Sequence, residues 1–334
     1  MPRVIGTLLV SFAVMLVLGP LFIPMLHKLK FGQPIREDGP KTHAVKKGTP
    51  TMGGVMMCVA IAVAALLFSV AEGRVGVMLP GLLFSLGFAL VGFLDDYLKV
   101  VRKNPKGLRG WYKIIFQVGL GAGVAVYCYL HPAIGSAIYI PFTDILWDMG
   151  IWYIPFTTFV VVAMVNSANL LDGVDGLLTS SSLVITATFA AIALFAIGVL
   201  EESVARNVAV LAAACAGACL GFLRFNTYPA RVIMGDTGSF VLGGVITFVA
   251  LAMRLPLLLP IAGIMMVVSS VSDIIQIGYF KYTKKKRGEG KRVFRMAPLH
   301  HHFELGGMPE TQIVALYMTI TFIACLIALW AVSV

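Results

Sequence analysis

The feature that most constrains this chain is a series of long apolar runs, each about 18 to 25 residues, separated by short polar breaks. At roughly 1.5 Å per residue, a helix of that length crosses about 30 Å of hydrocarbon. The chain is 334 residues long, 59% hydrophobic and only 13% charged. One water-soluble core cannot hide that much apolar surface, so lipid must be the solvent. The spans are expected to be helices, because unbroken runs such as residues 55–70 lack the alternation of a membrane-barrel strand.

Marking the apolar runs gives ten candidate spans, near residues 4–26, 52–71, 76–94, 111–130, 152–168, 178–200, 205–223, 237–254, 256–280 and 311–333. The expected fold is an all-α integral membrane protein with about ten transmembrane helices, forming a single polytopic domain over 1–334. Alternate connections hold 22 of the 26 Lys and Arg residues, and the other side has only Arg3, Arg74, Arg206 and Arg254. By the positive-inside rule the first group is cytoplasmic and both termini face outward. The net charge of +10 therefore reflects topology. No basic stripe with interleaved aromatics lies on a soluble domain, so nucleic acid is not an expected partner. The five cysteines sit inside apolar segments without CxxC spacing and read as small buried hydrophobes. The first run is too long for a signal-peptide core and should stay as a span.

Two stretches are unusual. The ninth span is interrupted by Ser269, Ser270, Ser272, Asp273 and Gln276, which predicts a helix that is tilted, kinked or turned toward protein or water. The outward loop 131–151, with Pro132, Pro141 and Trp147, should lie near the membrane interface and offers no nameable chemistry. Gly217 and Gly221 form a GxxxG in the seventh span, read as a close helix contact, and Gly119, Gly121 and Gly123 are read the same way.

Four polar clusters carry the chemistry. Asp95 and Asp96 end the third span with Lys99 one turn on, an arrangement suited to divalent metal or phosphate, or simply a solvated helix end. Asn166, Asn169, Asp172 and Asp175 follow at spacing three, and would form one ridge if helical. Acids with so little neighbouring positive charge are expensive at a membrane boundary unless they are used. Asp236, in Gly235-Asp236-Thr237-Gly238-Ser239, opens the eighth span after Asn226, where it either meets an anion or metal-bound phosphate or caps the helix. His300, His301 and His302 lie in the most basic connection, and consecutive side chains diverge too far for easy ligation of one ion. All four clusters map to the cytoplasmic side, as in a site assembled from several helix ends around a dication, with Lys46, Lys47, Lys99 and Arg231 at hand for phosphates. No Walker A motif is present, which argues against an ATP-driven pump.

Lys46 to Gly54, Asp95-Asp96, Asn169 to Gly176, Gly235 to Ser239 and Arg295 to Glu304 resemble, in order, the signature set of the phospho-N-acetylmuramoyl-pentapeptide transferase family. The acidic motifs fit the wider superfamily of polyprenyl-phosphate sugar-phosphate transferases, and Ala-Pro-Leu-His-His-His is similar to the muramoyl-pentapeptide branch. The resemblance implies an enzyme of the bacterial cytoplasmic membrane. It would transfer phospho-MurNAc-pentapeptide from UDP-MurNAc-pentapeptide to undecaprenyl phosphate with Mg²⁺, giving lipid I and UMP in the first membrane step of peptidoglycan synthesis. It casts Asp95, Asp96 and Asp236 as catalytic, with Asp236 the metal ligand. It casts Lys46, Thr51, Lys99, Asn169, Asp172, Asp175, Asn226, His300, His301 and His302 as substrate-binding. Membrane lipids surround such an enzyme, and the family implies a homodimer.

Two positions depart from the family pattern. Ile233 stands where a phenylalanine that stacks on uracil is expected, and the carboxylate expected near Ser269 appears one turn later as Asp273. Direct attack by the lipid phosphate and a covalent aspartyl intermediate are both open mechanisms. The competing functions are a sister transferase that uses UDP-GlcNAc and an ion-coupled transporter. A transporter should hold its acids near the bilayer midplane, where only Asp273 fits.

Overall fold

The computed structural model describes residues 1–28, 48–70, 76–104, 107–195 and 201–332, so Lys46 and Lys47 lie outside the described residues. The chain builds helices α1 (Pro2–Lys28), α2 (Gly54–Val70), α3 (Met78–Val100), α4 (Gly110–Leu130), α5 (Tyr153–Leu171) and α6 (Leu177–Phe195). It continues with α7 (Glu202–Asn226), α8 (Gly235–Ala252), α9 (Leu259–Ala262), α10 (Ile264–Arg287), α11 (Leu299–Glu304) and α12 (Glu310–Trp330). Nine helices among the described residues are long and apolar enough to cross a membrane. At 17 residues, α2 is shorter, about 25 Å, and is the tenth apolar helix. Helices satisfy their own backbone groups, and in hydrocarbon this requirement outweighs any single residue's propensity.

Burial separates central from peripheral helices. In α8, 94% of the most apolar stretch is buried and in α7, 83%, against 22% for α1 and for α10. α7 packs on α1 and α6, while α8 packs on α3 and α5. Close approach to α7 depends on small residues. A Cβ on Gly217 would lie 2.2 Å from the Leu8 carbonyl oxygen, and one on Gly221 would lie 2.5 Å from Met15 Cβ, so the GxxxG is a close helix contact, as its spacing predicts, and the partner is α1. Ser11 Oγ seals the same interface by donating to Ala214 O at 2.6 Å. Of the other glycine group, Gly121 and Gly123 meet α5 and Phe84, but a Cβ on Gly119 would meet no atom within 4 Å among the described residues.

The ninth span is broken rather than continuous over 256–280. Arg254 takes φ +60°, a 3-10 turn covers Pro256–Leu258, and Gly263 separates α9 from a longer α10. The break precedes the serines, because the prolines at 256 and 260 and Gly263 interrupt the helical ladder there. Ser269 and Ser272 are buried, Ser270 Oγ donates to Ser167 Oγ on α5 at 2.8 Å, and Asp273 is half-buried. The 131–151 segment adds a hairpin that the all-helical reading omits, with β1 (Ala137–Tyr139) antiparallel to β2 (Leu146–Asp148). Arg254 ties it down, Nε donating to Ile134 O at 2.6 Å and Nη2 to Ala133 O at 3.3 Å.

Candidate active site

The site forms where the C-terminal ends of α3 and α5 meet the N-terminal ends of α4 and α8. Glycine permits the α3–α8 approach, since a Cβ on Gly92 would lie 2.3 Å from the Asp236 carbonyl oxygen. That approach brings Asp96 over the first turn of α8. Asp96 Oδ1 accepts from the Asp236 amide at 3.1 Å, and Oδ2 accepts from the Thr237 amide at 2.9 Å and from Thr237 Oγ1 at 2.7 Å. The orphan amides of α8 are therefore capped from another helix, by the adjacent acid of the Asp95–Asp96 pair. Asp236 does not cap its own helix, which leaves its carboxylate for the cluster.

Asp95 and Asp236 face two lysines. Lys113 Nζ lies 2.8 Å from Asp95 Oδ2 and 2.8 Å from Asp236 Oδ2. Lys99 Nζ lies 2.5 Å from Asp95 Oδ2 and 3.2 Å from Asp236 Oδ2. Asp95 Oδ1 accepts from the Leu108 amide at 2.7 Å. Asn169 Nδ2 orients Asp236 by donating to its Oδ1 at 2.9 Å, and also reaches Ser239 Oγ at 2.9 Å. One oxygen from each of Asp95, Asp96 and Asp236 lies within 4.8 Å of the others. Three carboxylates against two ammoniums leave one negative charge in excess, in a site where Asp95 is fully buried. Such an array suits a hard cation and the phosphates it neutralises.

A second layer holds the remaining predicted residues. α5 ends at Leu171, so the ridge stops at Asn169, with Asp172 as the helix cap and Asp175 in the turn beyond. Asn166 turns away to donate to Gln117 Oε1 at 2.7 Å. Asp175 is buried and accepts from the Ala230 amide at 2.9 Å. Asn226 is also buried, accepting from Thr179 Oγ1 at 2.7 Å and donating to Val232 O at 3.0 Å, so it braces the segment before α8. Thr51 lies beside Gly235, where a Cβ on that glycine would be 3.0 Å from Thr51 Oγ1. Ile233 is buried, and its backbone pairs with Pro50 and Gly53 at 2.8 and 2.9 Å.

The three histidines diverge only in part: His300 and His301 pack together and His302 turns away. His300 is fully buried against His301, with ring centroids 4.3 Å apart, and against Tyr317. His301 Nδ1 and Glu304 Oε2 lie 3.0 Å apart. His302 turns outward, where its Nδ1 accepts from the Arg295 amide at 3.1 Å. A Cβ on Gly173 would lie 2.3 Å from His300 Nε2 and 3.0 Å from His301 Nε2, so these two imidazoles abut the turn that holds Asp172 and Asp175.

The glycosyl transferase family 4 profile matches residues 78–254, the stretch that holds every residue of the carboxylate–lysine cluster. A phospho-N-acetylmuramoyl-pentapeptide transferase of Clostridioides difficile (strain 630) is 47% identical over 331 residues, 98% of this chain and 97% of that protein. The same-named proteins of Clostridium kluyveri and Caldanaerobacter subterraneus subsp. tengcongensis are 44% and 43% identical, covering 98% and 99% of both partners. The chain belongs to the phospho-N-acetylmuramoyl-pentapeptide transferase family. It is a multi-pass protein of the bacterial plasma membrane.

Within the transferase, Lys113 is the residue that motif reading overlooks. It belongs to no acidic or histidine motif and counts there only as one basic residue of a basic connection. The usable signal was its place in the first turn of α4, one short loop after Asp95 and Asp96. Glu304 and Glu310 were also passed over, although two acids buried beside a histidine segment are costly without partners.

Proposed function

We propose that the carboxylate–lysine cluster carries the transferase reaction of this chain: phospho-MurNAc-pentapeptide passes from UDP-MurNAc-pentapeptide to undecaprenyl phosphate, giving lipid I and UMP. A lipid phosphate oxygen bonds to the β-phosphorus of the donor, and the bond from that phosphorus to the α–β bridging oxygen breaks. The observation that carries this reading is the pair of lysines shared between Asp95 and Asp236 at one end of the bundle. They can meet the phosphates of both substrates where a cytosolic donor and a membrane-borne acceptor converge. The segregation of 22 basic residues supports a cytoplasmic position for this end, with both termini outside and the whole chain acting as one membrane domain.

The donor set of Asp95, Asp96 and Asp236 fits Mg²⁺, since all its atoms are hard carboxylate oxygens within one short span. Asp236 is assigned as its principal ligand, with Asp95 beside it. When bound, the ion supplies Lewis-acid stabilisation of charge on the phosphoryl oxygens. Asp96 places Asp236 by capping α8, and Asn169 orients it. Lys99 and Lys113 hold phosphate oxygens, with Lys46 and Thr51 assigned to the donor. Asp172, Asp175 and Asn226 shape the donor side, and His300, His301 and His302 shape the pocket wall.

Direct attack is favoured over a covalent aspartyl intermediate. A phosphate monoester has a second pKa of about 6 and is already mostly dianionic at neutral pH. Asp95 is sealed from solvent, with both its oxygens facing donors, which opposes its use as a nucleophile. UMP release measured with UDP-MurNAc-pentapeptide and with UDP-GlcNAc, each with undecaprenyl phosphate and Mg²⁺, tests the reaction. Release from the GlcNAc donor alone would transfer the chain to the sister activity. Exchange of labelled UMP into the donor without acceptor would instead establish the covalent route. A homodimer belongs to the same proposal, resting on family membership, and light scattering in detergent tests it.

A further inference from the structure

Glu310 opens α12 and is only 7% exposed. Burying a carboxylate is unfavourable unless its oxygens find donors or a positive field. The first turn of α12 supplies the positive end of a helix dipole, and Glu310 Oε2 accepts from the backbone amide of Asp175 at 3.2 Å. Asp175 passes the restraint on, because its Oδ2 accepts from the backbone amide of Ala230 at 2.9 Å. Two connections are thus tied in series to the start of α12. One is the Asp172–Gly176 turn after α5, and the other is the segment that leads from α7 to Asp236. On its other side the first turn is gripped by His300 and His301, which leave no room for a side chain on Gly173.

We propose that Glu310 is a positioning residue. It fixes the Asp172–Gly176 turn, and through Asp175 the 227–234 segment, in the register that receives the nucleoside diphosphate part of the donor. This rests on the reaction proposed above. The bond to the Asp175 amide needs an acceptor oxygen, not a charge. Glutamine keeps that oxygen and alanine removes it. The disturbance falls on donor binding before it reaches the carboxylate–lysine cluster, so KM for the nucleotide donor moves more than kcat.

The test compares the full-length enzyme with Glu310→Gln, Glu310→Ala, Asp175→Ala and the double alanine variant, in UMP release kinetics and in amide hydrogen exchange. Expected are a rise of about tenfold in donor KM for Glu310→Ala, a kcat within about threefold of wild type, and near-complete rescue by glutamine. Exchange in peptides covering 172–176 and 227–234 should accelerate together in Glu310→Ala and stay slow in Glu310→Gln. The double variant should be no worse than the poorer single one, because both act through one chain of bonds. If Glu310→Ala does not fold, Glu310→Asp, which withdraws the oxygen by one methylene, takes its place. A glutamine variant as impaired as alanine, a loss confined to kcat, or unchanged exchange in both peptides overturns the proposal. A wild-type chain that releases no UMP refutes the reaction instead, and the exchange comparison then decides by itself whether Glu310 holds the two connections.

Discussion

The two ends of α8 solve the same problem with opposite charges. At its N-terminus Asp96 accepts from the first amides of the helix, and just past its C-terminus Arg254 donates to carbonyls of the hairpin connection. Both are single charged side chains spent on backbone groups that would otherwise go unpaired. The difference lies in what surrounds them. At the hairpin end Arg254 acts alone on two carbonyls. At the other end two further carboxylates, Asp95 and Asp236, and two ammoniums, Lys99 and Lys113, are packed against each other. Fold maintenance accounts for one charge at each end, and the remaining charges at the N-terminal end are those to which we assign the proposed chemistry.

This contrast can be broken experimentally. The largest effect is expected for Asp236→Ala, which removes the partner of Lys99, Lys113 and Asn169 without removing the α8 cap. UMP release should fall by roughly 10³-fold or more while thermal unfolding stays cooperative. Lys113→Met should lower UMP release by about 10²-fold, since one charged contact to a developing phosphate is lost while Lys99 remains. Unimpaired release by this variant would remove Lys113 from the reaction.

Arg254→Ala should invert the pattern. Thermal unfolding in detergent should show a loss of about 1–3 kcal/mol for the two orphaned carbonyls, with UMP release per folded molecule unchanged. Activity lost in proportion to stability would mean that the two ends are coupled. The smallest effect belongs to Asp148 in the hairpin. Its carboxyl is held below the usual range by Ser136 Oγ at 2.5 Å and the Gly150 amide at 2.9 Å. A depressed folded pKa stabilises above the unfolded value near about 4 and is lost as pH falls through the folded value. Asp148→Ala should therefore differ slightly from wild type in unfolding temperature at neutral pH. As pH falls through the folded value the difference should vanish.

Much of this division was legible in the sequence. Span positions, the helical class and the siting of Asp95, Asp96, Asn169 and Asp236 at helix ends all follow from local hydropathy and spacing. The roles inside the cluster do not follow. Asp95 and Asp96 are indistinguishable as a dipeptide, yet one faces two lysines and the other caps a different helix. Asn226 reads as substrate-binding in its motif, but its burial and its bonds to Thr179 and Val232 appear only in the fold. Asp172 and Asp175 leave the expected ridge because α5 ends at Leu171, before either is reached.

The sequence by itself determined that this chain lives in lipid, where its spans lie, and which acids stand at their ends. Transfer from water to hydrocarbon is a property of each segment, so it can be read one run at a time. Only the tertiary structure decided that Lys113 joins the cluster, that the ninth span breaks at Gly263, and which acid of the pair accepts from the first amides of α8. Those outcomes depend on how closely α3 and α8 approach at Gly92, a distance set by packing between residues far apart in the chain.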